Sequence, residues 1–428
     1  MNPLANELNK TLDETVAGKL LSTMGRRLFF PKGIIAQSAE AKKLGYKANA
    51  TIGTARKDGK PLILEAVQEQ LPLLSPAESV AYAPTAGNLD LRKAWLAEMG
   101  KKNPSLKTEN VSLPVVVPGL TAGISYIADL FISDGDSLLT GDPAWDNYNL
   151  IVESRHDAKL KGFQMLNLDG FDLNAFKNAV KKQAETGKVQ ILLNFPQNPA
   201  GYTLRKNEYA QVVEFLTSVA EQGTNMLVCC DDAYFGLFYE DDIAPESLFA
   251  ALSQAHKNIL AVKIDGPTKE DYVWGLRTGF LTFGCKDMTP PQYEALIKKL
   301  MGVVRSSVSC CATPSQSIML KALTDERTKT QKAQFVEVLK ERYQIVKDFL
   351  KQKQGSKVLT PMPFNSGYFM SLTCNGFSAE TLRVKLLNEY GIGTIAIDDS
   401  HLRIAFSSLE TDSIIPVYTA IYDAAEKL

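Results

Sequence analysis

The sequence predicts an α/β protein: a large domain on a mostly parallel sheet flanked by helices, plus a smaller α+β domain built from the N- and C-terminal segments. Three observations carry that expectation. Between residues 115 and 284, short β-branched runs alternate with helical patterns, as strands joined by helical crossovers do. Beyond that region the pattern changes to long helical stretches followed by a few strands. The 428 residues, 45% apolar and 22% charged, suffice for two lobes with a shared core and have a globular composition.

The N-terminal stretch "MNPLANELNKTLDETVAGKL" is polar and helical in pattern, without the apolar core of a signal peptide, so the expected compartment is cytoplasmic. Lying outside the alternating region, residues 1–60 are expected to join the small domain, with 61–315 forming the large domain and 316–428 the rest of the small one. The apolar stretch "LPVVVPGLTAGISYIADLFI" is interrupted by Pro118, Gly119 and Gly123, which makes it a strand, a loop and a buried helix rather than a membrane span. Further buried strands are read at 115–118, 137–141, 189–195, 225–231, 259–265 and 279–284, and a helix at 206–223 that stops at Gly223. The long pattern "QKAQFVEVLKERYQIVKDFLKQK" leads to "GYFMSL", another helix and "HLRIAF".

Composition excludes several functions. A net charge of −1 favours neither nucleic acid nor an anionic membrane. Six cysteines without C-x-x-C, and three histidines without H-E-x-x-H, form no disulfide framework or metal site.

In an open α/β sheet, ligands sit beyond the carboxyl ends of the strands. Four candidate groups fall there. Asn198 follows "ILLNF", Asp231 closes "NMLVCC", Lys269 follows "AVKID", and Gly119-Leu120-Thr121 follows "VVVP" and opens a helix whose free N–H groups can hold a phosphate. Neither G-x-x-x-x-G-K-[ST] nor G-x-G-x-x-G is present. An acid, an amide, a lysine and an anion site in one crevice suit pyridoxal 5'-phosphate, which needs a covalent lysine, an acid at its ring nitrogen and a phosphate site. Taken singly, each residue has an ordinary reading: a solvated lysine, an aspartate capping a turn, an Asn-Pro turn, core aromatics and ion-pairing arginines. Asp232 is a rival to Asp231.

The ordered motifs "ATIGTARKDGKPL", "YAPTAGNLDLR", "PGLTAGI", "DPAWDNY", "NFPQNPAGYTL", "DDAYFG", "TKEDYVWGLRTG" and "HLRIAF" run from about residue 50 to the C-terminus. In that order the chain resembles the class I aminotransferases of the aspartate and aromatic type, fold-type I pyridoxal-phosphate enzymes. The resemblance implies a seven-stranded-type sheet and a homodimer with shared active sites. It implies that Lys269 carries the cofactor and then serves as the base at the substrate Cα. Asp231 pairs with the pyridinium nitrogen, Tyr234 and Asn198 bond the ring's phenolic oxygen, and Trp145 stacks on its face. Arg277, Thr121, Gly119 and Leu120 hold the phosphate, and Tyr82 reaches the phosphate of the neighbouring subunit. Arg403 grips the substrate α-carboxylate, with Gly53 and Asn198 beside the substrate. The implied partners are an amino acid and a 2-oxo acid.

Three departures from the family pattern stand out. Gly266 stands where the family pattern has a phosphate-binding serine, so one phosphate hydrogen bond is either missing or supplied by Thr268. Ala200 replaces a threonine whose side chain carries no contact. No arginine occurs between 306 and 320, where aspartate-specific relatives carry a side-chain clamp; the corresponding position is near Ser317, counted from Arg305. A second carboxylate would enter such a pocket unpaired, so neutral or aromatic amino acids are expected over aspartate. Two other readings stay open: a pyridoxal-phosphate lyase or decarboxylase on the same scaffold, and a non-catalytic ligand sensor.

Overall fold

The computed structural model describes residues 1–12, 21, 23–27 and 34–428. Its centre is a seven-stranded sheet of β1 (Val115–Val117), β2 (Ser137–Asp142), β3 (Lys159–Gln164), β4 (Lys188–Asn194), β5 (Asn225–Asp231), β6 (Ile259–Asp265) and β7 (Gly279–Gly284). Their spatial order is β1-β7-β6-β5-β4-β2-β3. All neighbours run parallel except β7, which is antiparallel to both β6 and β1. The sheet is therefore α/β and mostly parallel, as the alternation predicts.

The central strands are buried along nearly their whole length and mostly apolar because helices cover both faces, leaving no solvent side to demand alternation. β3 is the strand the sequence reading missed. It is an edge strand, "KLKGFQ", with two exposed lysines and one buried side chain. Such lysines protect an edge from pairing with other chains, and they also erase the hydrophobic signature of a strand.

Several of the flanking helices start where side chains cap them. Asn88 accepts from the amides of Asp90 and Leu91 at the start of α1 (Leu89–Lys102). α2 (Leu120–Phe131) begins at Gly119 directly after β1, and Asp172 caps α3 (Leu173–Ala184). α4 spans Lys206–Glu221, and Ser247 caps α5 (Leu248–Ala255). α6 (Pro290–Ser307) and α7 (Thr313–Thr324) follow the sheet. α8 (Glu326–Gln352), 27 residues and roughly 40 Å long, joins the two parts of the molecule. Phe335, near its start, packs on Tyr272 of the large sheet's loops, and Phe349, near its end, packs on Tyr418 and Tyr422.

A second, antiparallel sheet contains β8 (Leu359–Pro361), β9 (Met370–Cys374), β10 (Ile395–Ala396) and β11 (His401–Ile404) in the order β8-β9-β11-β10. α9 (Ala379–Lys385) packs on it, and α10 (Ile414–Ala425) packs on α8 and α9. Helices occupy Pro3–Leu12, Thr23–Arg27 and Ile34–Leu44; the remainder of the predicted N-terminal helical segment between them, residues 13–20, 22 and 28–33, lies outside the described residues. Ala48–Asn49 pairs in parallel with Ile392–Gly393, and the Gln37 amide bonds both main-chain groups of Ala396. Among the described residues no helix is long and apolar enough to cross a membrane.

Below the sheet's carboxyl edge lies a buried ionic cluster. Lys263, on β6, is 1% exposed and pairs with Asp232, with Asp265 at 3.7 Å and the Phe235 ring centroid at 4.6 Å. Ser247 and Trp95 donate to Asp232 and Asp265 at 2.6 and 3.0 Å. Removing one partner of a buried pair leaves an uncompensated charge. Lys263→Met is therefore expected to lower unfolding free energy in urea by about 3–5 kcal/mol. Adding Asp232→Asn should recover at least half of that loss.

Candidate active site

Parallel register puts the strand ends level. Asp231, the last residue of β5, pairs with Asn194, the last of β4, and with Ile264 near the end of β6. β1 has the same sense as these strands because β7 is antiparallel to both β1 and β6, so Gly119 emerges at the same edge. Four strand ends therefore open on one crevice.

Lys269 lies in the turn after β6, its Nζ 5.0 Å from the Tyr234 ring centroid. Burial pulls its ammonium down to about 8, the Asp231 carboxylate opposing that fall and the Arg277 guanidinium adding to it. Asp231 is buried; burial pushes its carboxyl up to about 6, resisted by the Tyr148 hydroxyl, which donates to Oδ2 at 2.5 Å, and by Lys269. The Asn194 amide donates to the Asp231 carbonyl at 2.7 Å, and Asn194 Oδ1 accepts from the Asn198 main chain at 2.9 Å. Two strand ends and the following loop are thus tied together.

Arg403 reaches the crevice from β11. Its guanidinium donates to Asn198 Oδ1 at 2.9 Å and to the Thr51 carbonyl at 3.2 Å, and lies 4.2 Å from the Phe369 ring centroid. Burial draws it down to about 10, opposed by Tyr234 and Asp146. Its Nε is buried without a hydrogen-bond partner. Trp145 stands edge-on to Tyr148 at 5.4 Å, and Gly53 lies beside Phe369, where a Cβ would come within 3.5 Å of Cζ.

An anion cradle forms at the start of α2. Gly119 has φ of 89°, and a Cβ there would run into the Arg277 guanidinium. Leu120 and Thr121 follow with amides at the helix N-terminus, where the dipole favours negative charge. The Thr268 hydroxyl is buried and unpartnered. Gly266 has a packing reason: a Cβ would meet the Thr278 carbonyl at 2.9 Å and Gly279 Cα and Leu120 Cδ1 at 3.0 Å, so this backbone approach leaves no room for a serine.

The structure therefore brings together Lys269, Asp231, Tyr234, Asn198, Trp145, Arg403 and Gly53, with Gly119, Leu120, Thr121, Thr268 and Arg277 beside them. Tyr82 stands apart, 92% exposed. Asp232 faces Lys263 and Ser247 instead, so it does not compete for the place of Asp231. Ser317 is buried in α7. Sequence reasoning passed over Asn194, Tyr148, Tyr368 and Phe369. The first two lie inside the quoted motifs "NFPQNPAG" and "DPAWDNY", and only their distance in space from Asp231 reveals the contact.

A sequence profile described as "Aminotransferase class I and II" matches residues 47–421. The chain is 23% identical over 344 residues to the probable N-acetyl-LL-diaminopimelate aminotransferase of Bacillus subtilis, covering 77% of this chain and 78% of that one. It is 24% identical over 364 residues to an aspartate aminotransferase of Pyrococcus horikoshii, covering 81% and 83%. In structure it superposes on an aminotransferase from Anaerococcus prevotii with a TM-score of 0.83 at 22% identity, covering 93% and 98% of the two chains.

The buried lysine carries a test of its own. An ordinary lysine titrates at about 10.4, so its neutral, reactive form is scarce at neutral pH. In protein dialysed free of small molecules, reductive methylation of Lys269 should be half-maximal near pH 8, followed by peptide mass mapping. A midpoint above pH 10 would contradict the burial argument.

Proposed function

Because the chain belongs to the class I and II aminotransferase family, whose members are pyridoxal-phosphate-dependent enzymes, we propose ping-pong transfer of the amino group from an L-amino acid to a 2-oxo acid such as 2-oxoglutarate. The carrying observation is the buried Lys269 facing Asp231 at the sheet's carboxyl edge, with an anion cradle on one side and Arg403 on the other.

The residues present fit the cofactor. The unpartnered Thr268 hydroxyl and the Gly119 cradle under Arg277 suit a phosphate, with Thr121 and the amides of Gly119 and Leu120 completing the grip. Asp231 would meet the ring nitrogen, Tyr234 and Asn198 the phenolic oxygen, and Trp145 the ring face. Once bound, the cofactor supplies the electron sink that makes the substrate Cα–H acidic.

The chain's own groups do the rest. Arg403 presents an unpartnered Nε and a fork already oriented by Asn198 and Thr51, ready for a bidentate α-carboxylate. Lys269 Nζ, its ammonium weakened by burial, is the base that takes the proton from Cα. Asp231 stays anionic next to a cation, and the Tyr148 hydroxyl holds its orientation. We read the chain as two lobes divided near residues 60 and 315, whose closure would exclude water from this proton transfer.

We also propose a homodimer and a cytoplasmic location. Tyr82, Ile63, Leu71, Leu73, Val80 and Leu89 are exposed apolar side chains within one 27-residue stretch, the kind of surface a second subunit covers. Tyr82 would then reach the partner's phosphate. Sedimentation should report about twice the 47.0 kDa chain mass, and a monomer would remove Tyr82 from the site.

The preferred donors are neutral or aromatic amino acids, supported by the absence of an arginine between 306 and 320. Several relatives are named aspartate aminotransferases, so a donor panel decides the point. Tyrosine, phenylalanine or methionine should bleach the bound cofactor with higher kcat/KM than aspartate; the reverse order would refute the preference. Borohydride should fix the cofactor on Lys269, and Lys269→Ala should abolish turnover. Ammonia or pyruvate released without an acceptor 2-oxo acid would mark a lyase instead.

A further inference from the structure

Lys269 is anchored through its main chain as well as its amine. Its carbonyl accepts from the Tyr368 hydroxyl at 2.8 Å and from the Tyr272 amide at 3.3 Å. Tyr368 is fully buried, and burial raises its phenol well above the ordinary range, so it stays a neutral donor that has given up water for this one bond. The next residue, Phe369, carries the Arg403 guanidinium 4.2 Å from its ring centroid. Both rings pack edge-on against Tyr234 with centroids 5.5 Å away. Two consecutive residues before β9 therefore touch the lysine's main chain and the arginine's guanidinium.

The chain just beyond the lysine is held as firmly. Asp271 is buried and pairs with Lys332 of α8 at 2.5 Å, and Glu270 pairs with Lys102 of α1 at 2.6 Å. Tyr272 has φ of 56°, a conformation a bulky residue keeps only where its surroundings impose it, here through Phe335 of α8 at 5.0 Å. A lysine amine sits at the end of four rotatable bonds, so its position is only as definite as the peptide that carries it. Proton transfer at Cα depends on that position to within an ångström or so.

We infer that Tyr368 is a positioning residue for the reaction: its hydroxyl sets the main chain of Lys269 against the Phe369–Arg403 pair, fixing the separation between the amine and the carboxylate grip. The inference rests on the reading of Lys269 and Arg403 given above. Its chemistry is specific, since only the phenolic oxygen makes the link, while the ring fills space that phenylalanine would fill equally.

Tyr368→Phe in the holoenzyme separates linkage from packing. The rate of the half-reaction with a saturating amino acid should fall about tenfold, while KM changes less than about twofold because the Arg403–Asn198 contact is untouched. The pH midpoint of the cofactor–lysine absorbance band should rise by about half a unit, as a loosened lysine escapes part of its burial. 4-Aminophenylalanine at position 368 restores a donor in the same place and should restore both values. An unchanged rate and midpoint, with or without a lower melting temperature, would overturn the inference and leave Tyr368 a packing residue. If borohydride fixes no cofactor on Lys269 in the unsubstituted enzyme, the reading of Lys269 itself fails, and this inference with it.

Discussion

The level ending of parallel strands is the constraint on which the rest of this molecule depends. Because β4, β5 and β6 stop in register, Asn194, Asp231 and the turn carrying Lys269 share one edge without any long reach. That edge opens between the large sheet and the second one, so Arg403 can enter from β11 and close the crevice from the other side. Each partner is set by backbone geometry before any side chain is chosen. A one-residue slip of β5 against β4 would turn the Asp231 side chain to the opposite face.

Two lysines on the same strand and its exit show how burial and partners push titration in opposite directions. Lys263 is held by Asp232 and Asp265, and attraction to those carboxylates outweighs its desolvation, raising its pKa. Lys269, with Asp231 as its opposing charge and Arg277 as a competing cation, loses more to burial than it gains and is weakened. The adjacent aspartates Asp231 and Asp232 are sorted by the same geometry: successive side chains leave a strand on opposite faces, one toward Tyr148 and the crevice, the other toward Ser247 and the buried cluster. A buried lysine whose ammonium is weak is what proton abstraction near neutral pH requires.

The two sheets meet along a broad seam, with Thr203, Gly201 and Tyr239 bonded to Asn365, Ser366 and Gly367, and two further links bear on the site. α8 touches both, holding Asp271 and Tyr272 near its start and the aromatic face of α10 near its end. Tyr368 and Phe369 make a shorter bridge directly at the site. Movement of one sheet against the other would therefore be felt at the lysine's own peptide.

Periodicity and strand-end placement were enough to read from the sequence six of the seven central strands, the crossover helix at 206–221, and Asn198, Asp231, Lys269 and the Gly119–Thr121 turn at the strand ends, whereas Trp145, Tyr234, Arg277, Arg403 and Gly53 came from the ordered motifs of the family resemblance. The strand-end signals are local: an apolar run, a turn and one polar side chain at its exit. β3 escaped because an exposed edge needs lysines rather than an apolar run. Tyr148, Asn194 and Tyr368 escaped because their partners lie 83, 37 and 99 residues away, and nothing local marks a tyrosine that will meet a buried carboxylate or a carbonyl. The different surroundings of Asp231 and Asp232, and the reason position 266 is glycine, likewise emerge only from tertiary packing. Chemistry carried on a strand end is written in sequence order, whereas orientation depends on which distant surfaces meet, and that is decided when the sheets close on each other.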